Sequence, residues 1–285
     1  MVYGFAAIAK LDGDWLAGRP LASWLSLPMP WLPEPFVDLL RAPWVAPTLA
    51  WGGLLLDGLI VPLLLWRRTR ALAFIALVVF HSFNGVVLHV FPLPIVATVL
   101  STVFFDPGWP RRFGRRLRLG ERAGPPTDEA QRPPSLGALG WTLLLLFVAT
   151  QLALPLRHHA LSDDVAWSEA GATYAWRLRA REKRIALTLR RVDAETGRRV
   201  PGDPWARLTP HQIDLLTRSP EALGLYARRL AAEATAQGRT IELRVTALVA
   251  LNGRPFAPFI ADVDLAAASP AWGPPAWVLP SPRTP

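Results

Sequence analysis

Lysine is rare in this chain, and the position of Lys10 indicates proton chemistry. The 285-residue sequence has 31 Lys+Arg residues, of which Lys10 and Lys183 are the two lysines. Arginine stays protonated in proteins, whereas a desolvated lysine can lose its proton and act as a base. Lys10 follows the apolar run Val2–Ala9 and precedes a polar turn. Two interpretations stay open: the amine becomes neutral and accepts a proton, or it extends into lipid headgroups.

Three further polar residues lie inside apolar runs, where each needs a partner or a function. A carboxylate such as Asp57 costs roughly 2.5–3.5 kcal/mol at the centre of a membrane helix. His81 and Asn84 are three residues apart, so they share a helix face. A binding site would explain these residues, and so would hydrogen bonds between helices. The five histidines are too scattered for metal-ligand spacing, and no metal is predicted.

The runs that carry these residues predict the fold class: an α-helical membrane domain, as a partial multi-span bundle, over 1–156. Residues 1–10 are too short to cross a bilayer and are predicted to be a truncated span. The other predicted spans lie at about 44–66, 71–90, 93–105 (short) and 136–156. Between them, 11–43 is predicted to be a Pro- and Trp-rich interfacial loop with a short helix at 34–41.

The charge distribution favours a lipid bilayer rather than nucleic acid as the partner. The net charge is +9, but the arginines cluster at the ends of apolar runs. The positive-inside rule places both arginine blocks, 67–70 and 111–122, in the cytoplasm. The span at 136–156 then leads out, so the protein is predicted to be an integral membrane protein whose C-terminal domain is extracytosolic. Lys10 is predicted to lie on that same side.

The polar remainder, 157–285, predicts an extracytosolic α+β or β-rich domain. Alternating residues predict strands at 173–180, 184–192 and 240–251. Thr209-Pro210 and Ser219-Pro220 are helix start signals, the second for a helix reaching about Gln237.

Seven motifs in order across the chain give it a family resemblance. They are VYGFAAIAKLDGDW, WGGLLLDG, FHSFNG, FFDPGWPRR, QLALP, TYAW and FAPFIADVDLAAASPAW. With them the chain resembles the vitamin K-dependent gamma-glutamyl carboxylase family, whose membrane part is the horizontally transferred transmembrane (HTTM) domain. The resemblance implies a lyase that couples oxygenation of vitamin K hydroquinone to its epoxide with carboxylation of glutamate. Its co-substrates are O2 and CO2, and its partners are the quinone and a glutamate-containing peptide or protein.

The resemblance also implies site residues. Lys10 occupies the position of the family's hydroquinone base, and His81 and Asn84, with Asp57, are expected to form the quinone pocket. Trp176 and Arg181 fall in the family's glutamate-binding region, where a carboxylate substrate needs a cation. The alternative for the basic run around Arg181 is a solvated strand edge.

Relatives carry spans before the first motif, so this chain is expected to be a fragment, a copy with a misassigned start, or a decayed copy. Two alternatives to the carboxylase function therefore stay open. One is a membrane protein of the same fold that oxidises a quinone or binds a lipid without carboxylating peptides. The other is an inactive fragment.

The predicted topology can be tested with reporter fusions. A reporter that is active only outside the cytosol, fused after Ala160, is expected to be active, because 136–156 leads outward. The same reporter fused after Arg70 is expected to be silent and serves as the matched control. The reverse pattern would show that the arginine blocks do not set the orientation.

Overall fold

The computed structural model describes residues 1–116, 136–161, 164–178, 180–268 and 274–283. The arginine block at 111–122 is helical as far as Arg116, and the remainder lies outside the described residues. So does the end of the motif FAPFIADVDLAAASPAW.

The first part of the chain is almost entirely helical, because long apolar runs separated by Pro, Gly and Asp favour helices with short connections. Its elements are α1 (Val2–Ala9), α2 (Gly13–Leu16), α3 (Arg19–Leu25), α4 (Glu34–Leu40), α5 (Val45–Leu65), α6 (Arg70–Val86), α7 (Leu93–Ser101), a 3-10 turn (Thr102–Phe104), α8 (Trp109–Arg116) and α9 (Ala138–Leu156). Among the described residues, α5 and α9 are the helices long and apolar enough to cross a membrane.

The predicted helices at 44–66, 136–156 and 34–41 are confirmed as α5, α9 and α4. The run predicted at 71–90 ends sooner, at Val86, because His89 adopts a φ of 51° ahead of the Phe91-Pro92 break. The run at 93–105 forms α7 and the 3-10 turn.

The prediction of a loop over 11–43 was wrong for two stretches, which form α2 and α3. Asp12 caps α2 by accepting a hydrogen bond from the Asp14 amide, and Pro20 lies in the first turn of α3. Gly18 between them has a φ of 72°, and a side chain there would lie 2.6 Å from Pro47. This close approach presses the α2–α3 segment against the start of α5.

Helix α5 is the centre of the first part, because a straight stripe of its residues is buried. The stripe runs along one face at Ala46, Ala50, Gly53, Asp57, Ile60 and Leu64. Spacings of three and four residues keep these positions on one side of the helix. Asp57 therefore points inward with its apolar neighbours, against α1 and α6.

Helix α9 differs from α5 because it leaves its apolar surface uncovered. Only 6% of its most apolar stretch is buried, and Leu139 and Leu145 are 72% and 65% exposed. An uncovered apolar helix of this length matches the thickness of a bilayer core.

The C-terminal part is a small α+β unit. Its elements are α10 (His158–Leu161), α11 (Val165–Ser168), β1 (Lys183–Asp193), α12 (Pro210–Arg218), α13 (Pro220–Thr235), β2 (Ile241–Leu251) and β3 (Ala257–Pro258). The sheet has the order β1-β2-β3, and β1 pairs antiparallel with β2 from Lys183↔Leu251 to Asp193↔Ile241. Alternate β2 residues pack against α13, which gives this unit its own core around Leu223, Leu243 and Phe259.

The strand predicted at 173–180 is wrong. The segment turns instead, with positive φ at Tyr174 (65°) and Trp176 (51°). Ala175 and Ala180 are buried, but they are five residues apart, a spacing that does not follow the alternation of a strand. The strands predicted at 184–192 and 240–251, and the two helices that follow Thr209 and Ser219, are confirmed.

Charged residues join the two parts at the loop that follows Lys10. Asp14 is buried and accepts hydrogen bonds from Asn252 at 3.2 Å and Arg254 at 2.7 Å. Arg283, near the chain end, contacts Asp12 at 3.2 Å, Asp14 at 3.3 Å and also Asp164. Burial alone would raise the pKa of Asp14, but these hydrogen bonds and charges outweigh it and lower the pKa. The two parts are thus connected by ion pairs that require ionised carboxylates.

Removing the shared cation should weaken this connection. Arg283→Leu is expected to cost about 3 kcal/mol of unfolding free energy, because it leaves partly buried carboxylates short of a partner. Arg207→Leu is the matched control, since the Arg207 side chain is 88% exposed and its ion pair should contribute nothing measurable. Thermal unfolding of the two variants in detergent provides the comparison. Equal losses would show that the Arg283 contacts do not hold the two parts together.

Candidate functional site

The first candidate site is a cavity of about 510 Å³ between α1, α3, α5, α6 and α7. Its walls are mostly apolar. All four residues predicted for the hydroquinone site lie in them: Lys10, Asp57, His81 and Asn84. Residues up to 74 positions apart in sequence are therefore brought together on one surface.

Lys10 and Asp57 form a buried pair in this wall. The Lys10 Nζ atom lies 2.5 Å from Asp57 Oδ2, and each residue is 4% exposed. The same amine lies 5.1 Å from the centre of the Trp15 ring. Lys10 therefore does not extend to the surface, as the headgroup interpretation required. Asp57 accepts a hydrogen bond from Lys10. This contact is compatible with Asp57 as part of a binding site and with Asp57 as a hydrogen-bonded link between helices.

His81 also lines the cavity and belongs to the buried stripe of α6 that contains Ala73 and Leu77. Its Nε2 atom is 2.8 Å from the Tyr3 hydroxyl. Asn84 follows on the same face, is half-buried and lines the cavity, as expected from the spacing of three. Its side chain makes no hydrogen bond to any residue that the structure describes, so its amide is available to a ligand.

Tyr3 was missed by the sequence analysis. Tyr3 lies seven residues before Lys10, about two helical turns, so Lys10, directly after the end of α1, lies on the same side of the helix as Tyr3. That spacing was the available signal.

A second cavity, of about 820 Å³, lies where the segment after α11 leads into β1. Its walls are charged rather than apolar. They contain Arg177, Arg181 and Lys183 as cations and Glu169 as an acid, with Trp24 from α3. Of the two residues predicted to bind glutamate, Arg181 lies in this wall. Trp176 is half-buried and lies outside the walls of both cavities.

Arg181 is already paired. Its guanidinium donates two hydrogen bonds to the Glu169 carboxylate. Lys183, the second lysine, approaches the same carboxylate at 3.6 Å and donates to the Trp167 carbonyl at 2.7 Å. Arg181 is therefore not a solvated residue at the edge of a strand. Its side chain is 21% exposed, and two of its nitrogens donate to the Glu169 carboxylate.

The two cavities meet at Trp24, which belongs to both walls. On the other side of this boundary, Arg177 lines the charged cavity and Leu178 lines the apolar one. A ligand could thus have its polar end in one cavity and its reacting end near the other.

Comparison with known families assigns both parts. The model of the HTTM domain matches residues 1–109, and the model of the vitamin K-dependent gamma-carboxylase lumenal domain matches residues 137–284. The chain belongs to the vitamin K-dependent gamma-carboxylase family. The family resemblance predicted from the seven motifs is confirmed. No solved structure matches the chain.

The boundary between the two cavities lies between the two carboxylase-family domains. Lys10, Asp57, His81 and Asn84 belong to the HTTM match, whereas Glu169, Arg177 and Lys183 belong to the lumenal-domain match. Glu169, Arg177 and Lys183 were not among the site residues predicted from the sequence. The rarity of lysine, which singled out Lys10, was an equal signal for Lys183.

The buried amine of Lys183 makes stability depend on pH. Burial lowers the pKa of Lys183 from 10.5 to about 8, outweighing the nearby Glu169 carboxylate. Between those pH values the unfolded chain binds a proton that the folded chain does not, so unfolding free energy rises with pH. A change from 10.5 to about 8 corresponds to about 3 kcal/mol.

Lys183→Met should remove that rise. Between pH 8 and 10, the unfolding midpoint of the unsubstituted protein is expected to rise with pH. The midpoint of Lys183→Met is expected to rise less over the same range. Arg184→Met, which alters the exposed neighbouring cation, is expected to keep the dependence of the unsubstituted protein. An unchanged dependence in Lys183→Met would contradict the assignment to this amine.

Proposed function

We propose that the protein is a membrane-embedded gamma-carboxylase that couples oxygenation of vitamin K hydroquinone to carboxylation of glutamate. The observation that carries this proposal is the buried Lys10–Asp57 pair in the wall of an apolar cavity. Such a pair places a potential base where water is scarce. The charged cavity beside it offers a place for an acidic substrate.

A membrane location supports this function, because the hydroquinone is a lipid-soluble molecule. The uncovered apolar surface of α9 and the length of α5 support two bilayer crossings. The lumenal-domain match and the positions of the arginine blocks support an extracytosolic C-terminal part. Both cavities would then open toward the outer side of the membrane.

The apolar cavity has a suitable size and chemistry for the hydroquinone. Ligand cavities typically measure about 300–1,000 Å³, with apolar walls and a few polar groups that orient the ligand. Here Phe80, Phe83 and Leu56 supply apolar surface. Lys10, His81 and Asn84 would meet the two oxygens of the hydroquinone ring. When bound, the hydroquinone would supply, with O2, the strong base that removes the γ-proton of glutamate before CO2 adds.

The task of Lys10 is to accept the hydroquinone proton, which requires a neutral amine. A proton passed from Lys10 to Asp57 converts the ion pair into a neutral pair, and burial favours this form because separated charges are costly without water. The neutral amine can then take the phenolic proton. Asp57 thus holds the Lys10 proton and fixes the position of the amine. Trp15, packed over the amine, limits access of water.

Substitution of Lys10 tests this role. In nanodiscs with hydroquinone, O2, bicarbonate and a glutamate peptide, Lys10→Ala is expected to reduce epoxide and γ-carboxyglutamate about 100-fold to 10,000-fold, the usual contribution of a general base. Lys10→Arg is the matched variant, because it keeps a cation for Asp57 but cannot release its proton. It is expected to be equally inactive.

The two products separate the competing functions. Activity retained in Lys10→Arg would show that Lys10 serves only as a structural cation. Epoxide formed by the unsubstituted protein without γ-carboxyglutamate would favour a quinone oxidase of the same fold. Absence of both products would favour an inactive fragment.

A further inference from the structure

The wall of the charged cavity contains more cations than carboxylates among the described residues. Arg181 and Lys183 share Glu169, Arg184 lies 3.6 Å from Glu182, and Arg218 lies 2.8 Å from Asp214. Arg177 forms no ion pair with any residue in the described part of the chain. Among the described cations of this wall, Arg177 is therefore the one without a carboxylate partner.

Burial makes this missing charge costly. The Nε atom of Arg177 is fully shielded and has no hydrogen-bond partner among the described residues. Burial, and then the charge of Arg181, lower the pKa of Arg177. Arginine nevertheless stays protonated in proteins, so the charge cannot be removed by losing a proton. The two carboxylates whose charges act to raise the pKa of Arg177, Asp12 and Asp164, both form ion pairs with Arg283.

The position of Arg177 relates this charge to the reaction. Leu178, the next residue, lies in the wall of the apolar cavity, and Trp24 lines both cavities. A carboxylate bound at Arg177 would therefore have its adjoining carbon atoms close to Trp24 and Leu178. This is the boundary that the reacting γ-carbon of a glutamate must reach.

We propose that Arg177, rather than Arg181, binds the side-chain carboxylate of the glutamate substrate. This inference rests on the proposed function and assigns a residue that the sequence analysis did not select. Arg181 is held on Glu169 and forms part of the wall. The planar guanidinium of Arg177 matches a carboxylate and supplies donors that are otherwise unused.

Direct binding tests the proposal without any turnover. The probes are a blocked pentapeptide with a central glutamate and the same peptide with glutamine, titrated calorimetrically into the full chain in nanodiscs. The unsubstituted protein is expected to prefer the glutamate peptide. Arg177→Gln is expected to weaken binding of that peptide about 10-fold to 100-fold, the usual contribution of hydrogen bonds to a charged group. Binding of the glutamine peptide should be unaffected.

Two controls separate binding from folding. Arg229→Gln removes an exposed cation that lies outside the walls of both cavities and has its own partner, Glu233, at 3.0 Å, and its affinity for the glutamate peptide is expected to stay within about twofold. Arg177→Gln is also expected to keep or raise the unfolding temperature, because it removes an uncompensated buried charge. If Arg177 only stabilised the fold, Arg177→Gln would lower the unfolding temperature.

Three outcomes would overturn the inference: no preference for glutamate over glutamine in the unsubstituted protein, unchanged affinity in Arg177→Gln, or equal weakening for both peptides. The inference and the proposed function can fail separately. Arg177-dependent binding without γ-carboxyglutamate formation would reject carboxylation and retain the binding site. Carboxylation that persists in Arg177→Gln with an unchanged KM for the peptide would reject Arg177 as the binding residue and retain the carboxylase function.

Discussion

The contact between the Lys10 amine and the Asp57 carboxylate determines how the first part of the molecule is arranged. It joins the end of α1 to the middle of α5, and both groups are shielded from solvent. Breaking such a pair leaves a buried charge without a partner, which is far more costly than leaving a surface pair broken. The arrangement of α1, α5 and the Trp15 ring around the cavity therefore depends on this contact. The proposed chemistry depends on it as well, because the hydrogen bond to Asp57 fixes the position of the Lys10 amine.

The same short segment links the cavity to the lumenal domain. Asp12 and Asp14 follow Lys10 by two and four residues, and both contact Arg283. Asp14 also holds Asn252 and Arg254 at the turn after β2. A movement of the lumenal domain would thus act directly on the residues beside the buried amine. The polar turn at Asp12 and Asp14 therefore joins the two parts of the molecule through ion pairs.

Much of this organisation could be predicted from the sequence, and the failures have physical causes. Lys10, Asp57, His81 and Asn84 could be found because a polar group in an apolar run needs a reason. The segment around Trp176 alternates in sequence as a strand does, but Tyr174 and Trp176 adopt positive φ and the segment pairs with no strand among the described residues, which composition alone does not reveal. The importance of Glu169 and Arg177 could not be predicted. It depends on which cation each carboxylate neutralises, and that is decided by tertiary packing.

The burial of both lysines has a consequence for the outer surface. Lys10 and Lys183 are the two lysines of the sequence, and they are 4% and 6% exposed. The side chains on the surface of the folded protein therefore carry guanidinium groups but almost no primary amines. Reagents that acylate amines would meet little besides the chain's α-amino group until the structure opens. The rate of acylation of Lys10 would then report the opening of the apolar cavity. The rate for Lys183 would report the opening of the charged cavity.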